Sequence, residues 1–406
     1  MPLRPREMRD RNRALVLDAV ARHEPVTRAQ LAVRTGLTKS SVSTIVAELV
    51  AARLVVELGT QRGSDLGRPG TALALARDGL AGLGLEINVD YLAACVVDLA
   101  RRTRVQYVEV GDNRARDPAA VTDLLARLAA AAVAAARTQG LTISATCVAV
   151  PGLADPETGA VARAPNLDWS GVPLRRLLAG RVPAALTPVV VENEANLAAL
   201  GELWFGDGGG LGDYVHISAE VGIGAGIVVA GELFRGAHGH AGELGHTTLE
   251  PDGPPCACGG RGCLELYAGQ EAILRRAGLD PAASTSTGRA DGPVGTLVAR
   301  LAAGDPRALE ALEVAGRSLG VATAALVKLL DPDSVVLGGV YALLAPWLRE
   351  PFQRALVAGI PMTRAAPPRV AISALGPDAA VRGAAGLVTA RMLAHPGALL
   401  SVSARA

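Results

Sequence analysis

Three cysteines of this 406-residue chain stand close together, Cys256, Cys258 and Cys263, spaced Cys-x-Cys-x4-Cys, with His246 ten residues ahead of the first. Thiolate sulfur and imidazole nitrogen are the donors that zinc prefers, and three thiolates with one imidazole make a closed tetrahedral set. A closed set is structural, because it leaves no position for a substrate or an activated water. Gly259, Gly260 and Gly262 let the backbone fold tightly between the ligands. A disulfide between Cys256 and Cys258 would be strained and would orphan the third thiol; unligated thiols in a loop are the other reading of the spacing. Cys95 and Cys147 stand alone among apolar neighbours and are expected in the core.

A second constellation lies near the N-terminus. Lys39, Ser40, Ser41, Ser43 and Thr44 crowd the first two turns of a helix expected from Thr38 to about residue 50, whose apolar positions Val42, Ile45, Val46 and Leu49 follow helical spacing. Short hydroxyls and a cation on that face suit base edges and phosphates in a DNA major groove. The elements that must position them read as follows. A helix over 11–25 carries the stripe Leu15, Val16, Ala19 and Val20 and stops at Pro25; Thr27, with Arg28 beside it, caps a short helix; Gly36 makes the turn; Thr38 caps the recognition helix. Residues 54–58 and 71–75 read as the strands of a β-hairpin wing with Arg62 and Arg68 at its tip, suited to phosphate or minor-groove contact. The candidate DNA contacts of this winged helix-turn-helix are thus Thr27, Arg28, Thr38, Lys39, Ser40, Ser41, Ser43, Thr44, Arg62 and Arg68. Charge agrees: residues 1–70 hold eleven Arg and Lys39 against seven acids, whereas the whole chain is only +1.

From residue 80 the pattern changes. Strands are expected at 83–87, 92–97, 105–110, 142–150, 189–192, 214–218 and 226–229, alternating with helices at 117–140 and 195–205, which argues an α/β body. The length implies two or three domains. Every long apolar run is broken by Arg, Asp or Glu, and no apolar leader with a cleavage site opens the chain, so neither a membrane span nor a signal peptide is expected and the cytoplasm is the default. Residues 280–295, rich in Ala, Ser, Thr, Gly and Asp, read as a loop.

Taken together, the chain resembles the regulator branch of the ROK family (repressors, open reading frames and kinases). The resemblance runs from Arg11 to Gly386 and rests on five motifs in order: Gly67-Arg68-Pro69; Ala164-Pro165-Asn166-Leu167; Val191-Glu192-Asn193-Glu194-Ala195-Asn196; Gly222-Ile223-Gly224-Ala225-Gly226 leading to Gly239-His240-Ala241-Gly242-Glu243-Leu244-Gly245-His246; and the cysteine motif through Leu264-Glu265. It implies an α/β fold in which the winged helix-turn-helix (1–78) precedes a two-lobed actin-like or hexokinase-like body. The first lobe would span 79–194 and 376–406, with a last helix near 381–393 returning to it, and the second lobe 195–375. It implies sugar contacts at Asn166, Asn193, Glu194, Glu243, His246 and Glu265, and names the same four zinc ligands.

The kinases of such a family carry Asp-x-Gly-Gly-Thr where this chain has Glu86-Ile87-Asn88-Val89-Asp90, and Gly-Thr-Gly where it has Glu220-Val221-Gly222. Glu194 takes the place of their catalytic Asp and is one methylene longer; Gly338-Gly339 is retained. Phosphoryl transfer rests on positioning and charge stabilisation, so neither ATP nor enzymatic activity is expected. The resemblance implies instead a repressor, dimeric or tetrameric, that binds a double-stranded DNA operator under control of a small-molecule sugar. A sugar kinase, or a regulator governed by a protein partner, is the alternative.

Overall fold

Two threonines set the starts of the second and third helices of the N-terminal domain. The Thr27 hydroxyl accepts from the Gln30 N–H while the Gln30 side chain accepts from the Thr27 N–H, a reciprocal capping box. Thr38 Oγ1 accepts from the Ser41 N–H at 3.2 Å. In this computed structural model, which describes residues 5–61, 70–114, 116–183, 186, 189–206, 212–281, 292–361 and 367–397, these caps open α2 (Arg28–Thr35) and α3 (Lys39–Ala51), behind α1 (Pro5–His23) and β1 (Val26–Thr27). Gly36, at φ 69°, ends α2 in the left-handed conformation expected of it. The wing is β2 (Val55–Gln61) paired with β3 (Gly70–Leu75), and β1 adds to the far edge of β3. Its tip, with Arg62, Arg68 and the Gly67-Arg68-Pro69 motif, lies outside the described residues.

The first helix differs from its sequence reading. It begins at Pro5, and Val16, Ala19 and Val20 are buried as expected together with Leu17, whereas Leu15 is 41 % exposed. Leu15 faces a groove between α1 and the body instead.

The body begins with β4 (Gly79–Ile87), β5 (Tyr91–Asp98) and β6 (Thr103–Val110), an antiparallel meander. Then α4 (Pro118–Thr138) crosses to β7 (Leu141–Val150), parallel to β4. A small sheet of β8 (Leu153–Asp155), β9 (Ala160–Ala164) and β10 (Trp169–Val172) and the short α5 (Leu174–Ala179) lead to β11 (Val189–Asn193), parallel to β7. Next come α6 (Glu194–Phe205) and β12 (Tyr214–Ala219), β13 (Ile223–Val229) and β14 (Glu232–Leu233), again an antiparallel meander. The helices α7 (Glu265–Ala268), α8 (Gln270–Arg276), α9 (Gly292–Ala302) and α10 (Pro306–Leu330) precede β15 (Ser334–Gly339); α11 (Val340–Gly359) then leads to β16 (Arg369–Ile372), both strands extending the sheet in parallel. The two five-stranded sheets, β6-β5-β4-β7-β11 and β14-β13-β12-β15-β16, therefore repeat one topology. The loop expected at 280–295 gives way at Gly292 to α9; residues 282–291 lie outside the description.

Helix α4 is long and apolar enough to cross a membrane by length and composition. Its stripe Val121, Leu125, Ala129, Ala132 and Ala136 is buried in the core of the first sheet.

The last helix, α12 (Ala379–Ala394), joins the parts of the molecule. It lies on α6 and across β4, β5 and β7. The approach is backbone to backbone: a Cβ on Gly383 would stand 1.8 Å from the Leu197 carbonyl oxygen, and one on Gly201 2.2 Å from that of Ala379. At its far end Met392 and Leu393 enter the core of the winged domain with Val16, Leu31, Val46, Leu73 and Leu99. Met392→Ala is accordingly expected to cost about 2–3 kcal/mol and to loosen the N-terminal domain, seen as a lower melting temperature with faster amide exchange in α1 and α3.

Candidate functional site

The cleft lies where strands of both sheets end. From the first lobe, a 3-10 turn over Pro165–Leu167 presents Asn166, and the junction of β11 with α6 presents Asn193 and Glu194. From the second, the turn between β12 and β13 brings Glu220, Val221 and Gly222; a 3-10 turn at Leu244–His246 carries His246, preceded by Glu243; and α7 opens on Glu265. All six polar residues named from the sequence, Asn166, Asn193, Glu194, Glu243, His246 and Glu265, line one cavity of about 870 Å³, open space at its mouth included. Close approach here requires glycine. Gly242 has φ 100°, and a Cβ there would stand 2.0 Å from the Ala225 carbonyl oxygen, so the chain can pass against β13 and deliver Glu243 only without a side chain.

The six are not equivalent. Asn193 Oδ1 caps α6 by accepting from the Asn196 N–H at 3.0 Å, and its Nδ2 donates to the Gly152 carbonyl and to Glu194 Oε2 at 2.9 and 3.0 Å. Its polar groups are engaged, and it holds Glu194 in place. Glu265 Oε2 accepts from the Ile223 N–H at 3.4 Å. The carboxyls share one electrostatic condition. Burial raises Glu194 to about 8, with the Glu243 and Glu86 charges adding to it; burial also raises Glu243 and Glu265. Protonated carboxyls both donate and accept, as sugar hydroxyls do.

The metal cluster adjoins this wall. One donor atom from each of His246, Cys256, Cys258 and Cys263 lies within 4.8 Å of all the others. Cys258 Sγ and Cys263 Sγ are 3.7 Å apart, and Cys256 Sγ is 3.8 Å from His246 Nδ1. A tetrahedron with metal–sulfur distances of about 2.3 Å has edges of about 3.8 Å, so the donor set fits a metal ion. The Gly260 N–H donates to Cys258 Sγ at 3.3 Å, an interaction that favours thiolate. All five cysteines are free thiols, and Cys95 and Cys147 are fully buried as expected. Because His246 turns Nδ1 toward the sulfurs, its other ring face is left for the cavity.

Contacts that no sequence signal announced cross the cleft. Arg163, at the end of β9 just before Asn166, donates to the Ala257 carbonyl between two of the cysteines at 3.2 Å. Arg114 pairs with Glu271 of α8 at 3.4 Å. Behind Asn193, Arg235 pairs with buried Glu192 at 2.8 Å, and Asn196 Nδ2 donates to the same carboxylate. The Asn193–Asn196 spacing inside the Glu-Asn-Glu-Ala-Asn motif was the available hint of that network.

On the face expected to meet DNA, α3 exposes Lys39, Ser40, Ser43 and Thr44, with Ser41 half-buried. Other candidates are engaged locally. Thr27 and Thr38 form caps, the Thr38 hydroxyl also lying 3.0 and 2.9 Å from those of Ser40 and Ser41, and Arg28 pairs with Glu57 of β2 at 2.5 Å. Arg9 and Arg13 of α1 both reach Glu48, which anchors the C-terminal half of α3.

The Glu194 shift has a consequence for stability. A carboxyl raised in the folded state favours folding below its unfolded value of 4.5, and that contribution is lost as pH rises toward about 8. His216, which burial lowers to about 4, acts only below about 6.5 and in the opposite sense. Between pH 6.5 and 8, wild type should therefore lose stability relative to Glu194→Gln, by up to about 1.4 kcal/mol per pH unit; parallel melting curves for the two proteins across that window would contradict it.

Residues 82–391 match the ROK family, and residues 10–63 match the MarR family. The xylose repressor of Caldicellulosiruptor bescii is 29% identical over 396 residues, 95% of this chain and 97% of the other. A glucokinase of Halalkalibacterium halodurans is 35% identical over 252 residues, 59% of this chain and 74% of the other. A crystal structure of a ROK family transcriptional regulator, a homologue of the E. coli MLC protein, superposes with a TM-score of 0.75 at 25% identity, covering 98% of this chain and all of that one. With a winged helix-turn-helix ahead of two sheets of repeated topology, this chain belongs to the ROK family.

Proposed function

We propose that this chain is a cytoplasmic transcriptional repressor that holds a double-stranded DNA operator through α3 and the wing and releases it when a sugar fills the cleft. The observation that carries the reading is the path of α12. One end of that helix lies against α6, the helix that begins at Glu194, and the other end completes the core of the DNA-reading domain. A ligand that moves α6 therefore moves the reading domain. In this reading residues 1–78 are the reader, 79–194 with 376–406 the first lobe and 195–375 the second, and a symmetric homo-oligomer presents two copies of α3 to a two-fold operator. Because a relative named a xylose repressor aligns along nearly the whole chain, xylose is the first sugar to test.

Within the cleft, Asn166, Glu194, Glu243, His246 and Glu265 are assigned to ligand hydroxyls, and Asn193 to positioning Glu194. The metal is assigned as zinc, held by His246, Cys256, Cys258 and Cys263, with a structural part: it fixes the His246 ring and the segments flanking Glu243 and Glu265. The relatives include both repressors and glucokinases. The repressor reading is favoured over a kinase because Glu194 replaces the expected Asp and both phosphate-loop sequences are altered; a coupled ADP-release assay with xylose and glucose should give no turnover.

The decisive measurement is operator binding by anisotropy, on a duplex selected from random DNA, with and without monosaccharides. Sugar should weaken DNA binding at least ~10-fold, and by linkage DNA should weaken sugar binding by the same factor. Equal operator affinity in every sugar would end the sugar-responsive reading. Lys39→Ala should weaken the selected operator by ~10-fold or more, whereas Arg62→Ala and Arg68→Ala should weaken all sequences alike and flatten the salt dependence. Elemental analysis should find one zinc per chain, and Cys263→Ser should lose it together with most sugar affinity; full sugar affinity in folded, metal-free protein would remove zinc from the pocket's architecture.

A further inference from the structure

We propose that the cleft takes an uncharged sugar and rejects its phosphate ester, because the side of the cleft beyond Glu194 is closed by a buried acid–amide network. The proposal rests on the sugar-binding reading above and narrows its ligand class.

The lining of the main cavity is the first observation. Its ionisable residues are Glu194, Glu220, Glu243, Glu265 and His246; among the described residues neither lysine nor arginine contributes to it. Protein sites for phosphate esters supply guanidinium or ammonium groups, or a cradle of unengaged backbone N–H groups. The imidazole belongs to the metal cluster, so the cation supply of the wall is small.

The second observation is a narrow space of about 270 Å³ directly behind, open space included, lined by Glu86, Glu194, His216, Ser218 and Glu220 among others. Glu194 borders both spaces, so a substituent that reaches past the sugar ring toward the rear must pass it. Among the described residues, what waits there offers a phosphate no lysine or arginine. Glu86 is 1 % exposed, and its Oε2 has no hydrogen-bond partner. With the Glu86 carboxyl ionised, a phosphate oxygen beside it would set acceptor against acceptor and charge against charge, whereas a hydroxyl would donate to it. His216 is fully buried with both ring nitrogens unpartnered. Burial keeps it neutral at physiological pH, so it brings one N–H and no charge.

The third observation is that four backbone donors on the two loops that line the cleft are already engaged. The Asn88 N–H donates to the Tyr91 carbonyl at 2.9 Å and the Val89 N–H to Asn88 Oδ1 at 2.6 Å. The Tyr91 hydroxyl donates to Glu86 Oε1 at 2.6 Å, and Asn88 Nδ2 donates to that hydroxyl at 3.1 Å. Across the cleft, the Glu220 N–H donates to the Gly222 carbonyl at 3.1 Å and the Ile223 N–H to Glu265 Oε2 at 3.4 Å. Gly338 and Gly339 are tied to packing: a Cβ on the first would stand 2.3 Å from His216 Nε2, and one on the second 2.4 Å from the Ala219 carbonyl oxygen.

The test is calorimetric titration of the zinc-loaded full chain with matched pairs: xylose and xylose 5-phosphate, glucose and glucose 6-phosphate, N-acetylglucosamine and its 6-phosphate. The expected result is that the best neutral sugar binds at least ~100-fold more tightly than its ester, the penalty for burying an unpaired anion. Glu86→Gln keeps an acceptor for the Tyr91 hydroxyl and adds two N–H donors, and should narrow that gap about 10-fold. Val221→Thr, which adds a hydroxyl at the turn without new bulk, should narrow it in the same direction and serves if the first variant fails to fold. An ester that binds as tightly as its sugar overturns this proposal and leaves sugar binding standing. A gap that neither folded variant changes overturns the network as its cause. If no member of any pair binds, the sugar reading itself fails and this proposal with it.

Discussion

The contact on which the arrangement depends is the seating of α12 on α6 and β4 through glycine. Gly383 and Gly201 bring carbonyl oxygens of the facing segment to distances that a single methyl group would forbid, and Gly84 does the same between β4 and the Val381 carbonyl. Side chains between two helices can change rotamer and absorb a displacement. Backbones in direct contact cannot, because packed interiors are close to crystalline density. On the reading proposed above, a shift at the start of α6 would be passed to α12 as a rigid movement. This contact links the cleft carboxyls, the shared sheet topology and the reading helix into one mechanical object.

The cleft shows a second constraint, the gathering of carboxyls in a narrow space. Glu86, Glu194, Glu243 and Glu265 all have raised affinity for protons, chiefly through burial. Such groups are costly in a cavity unless something that hydrogen-bonds both ways fills it. A polyol meets that requirement without bringing charge. The cysteine cluster serves the same wall from outside, since it closes the loop between His246 and Glu265 over a span that holds no strand of its own.

What could be read from the sequence follows the range of each interaction. The caps at Thr27 and Thr38, the left-handed Gly36 and the four-ligand cluster were legible because donor and acceptor, or the ligands themselves, lie within a few turns of chain. The stripe of α1 was assigned Leu15, where the buried residue is Leu17; two phases of one apolar run fit helical spacing, and only packing against α3 and α12 decides between them. That Asn193 is engaged could not be read, since its partner Gly152 lies 41 residues earlier. The Arg163–Ala257 contact spans 94 residues and joins groups with no distinctive pattern. The six cleft residues were placed by family resemblance and not by periodicity, and their meeting in one cavity depends on the two-sheet topology.

The core of the winged domain contains Met392 and Leu393 beside residues from 16 to 75. The order of synthesis gives this a meaning of its own. A ribosome delivers the reading helix and the wing early, but the side chains that complete their core arrive only after more than 300 further residues have been translated. A chain cut short anywhere in the body would thus emerge with a reader that lacks its last packing layer. The reader reaches its full packing only once the body behind it has also been made.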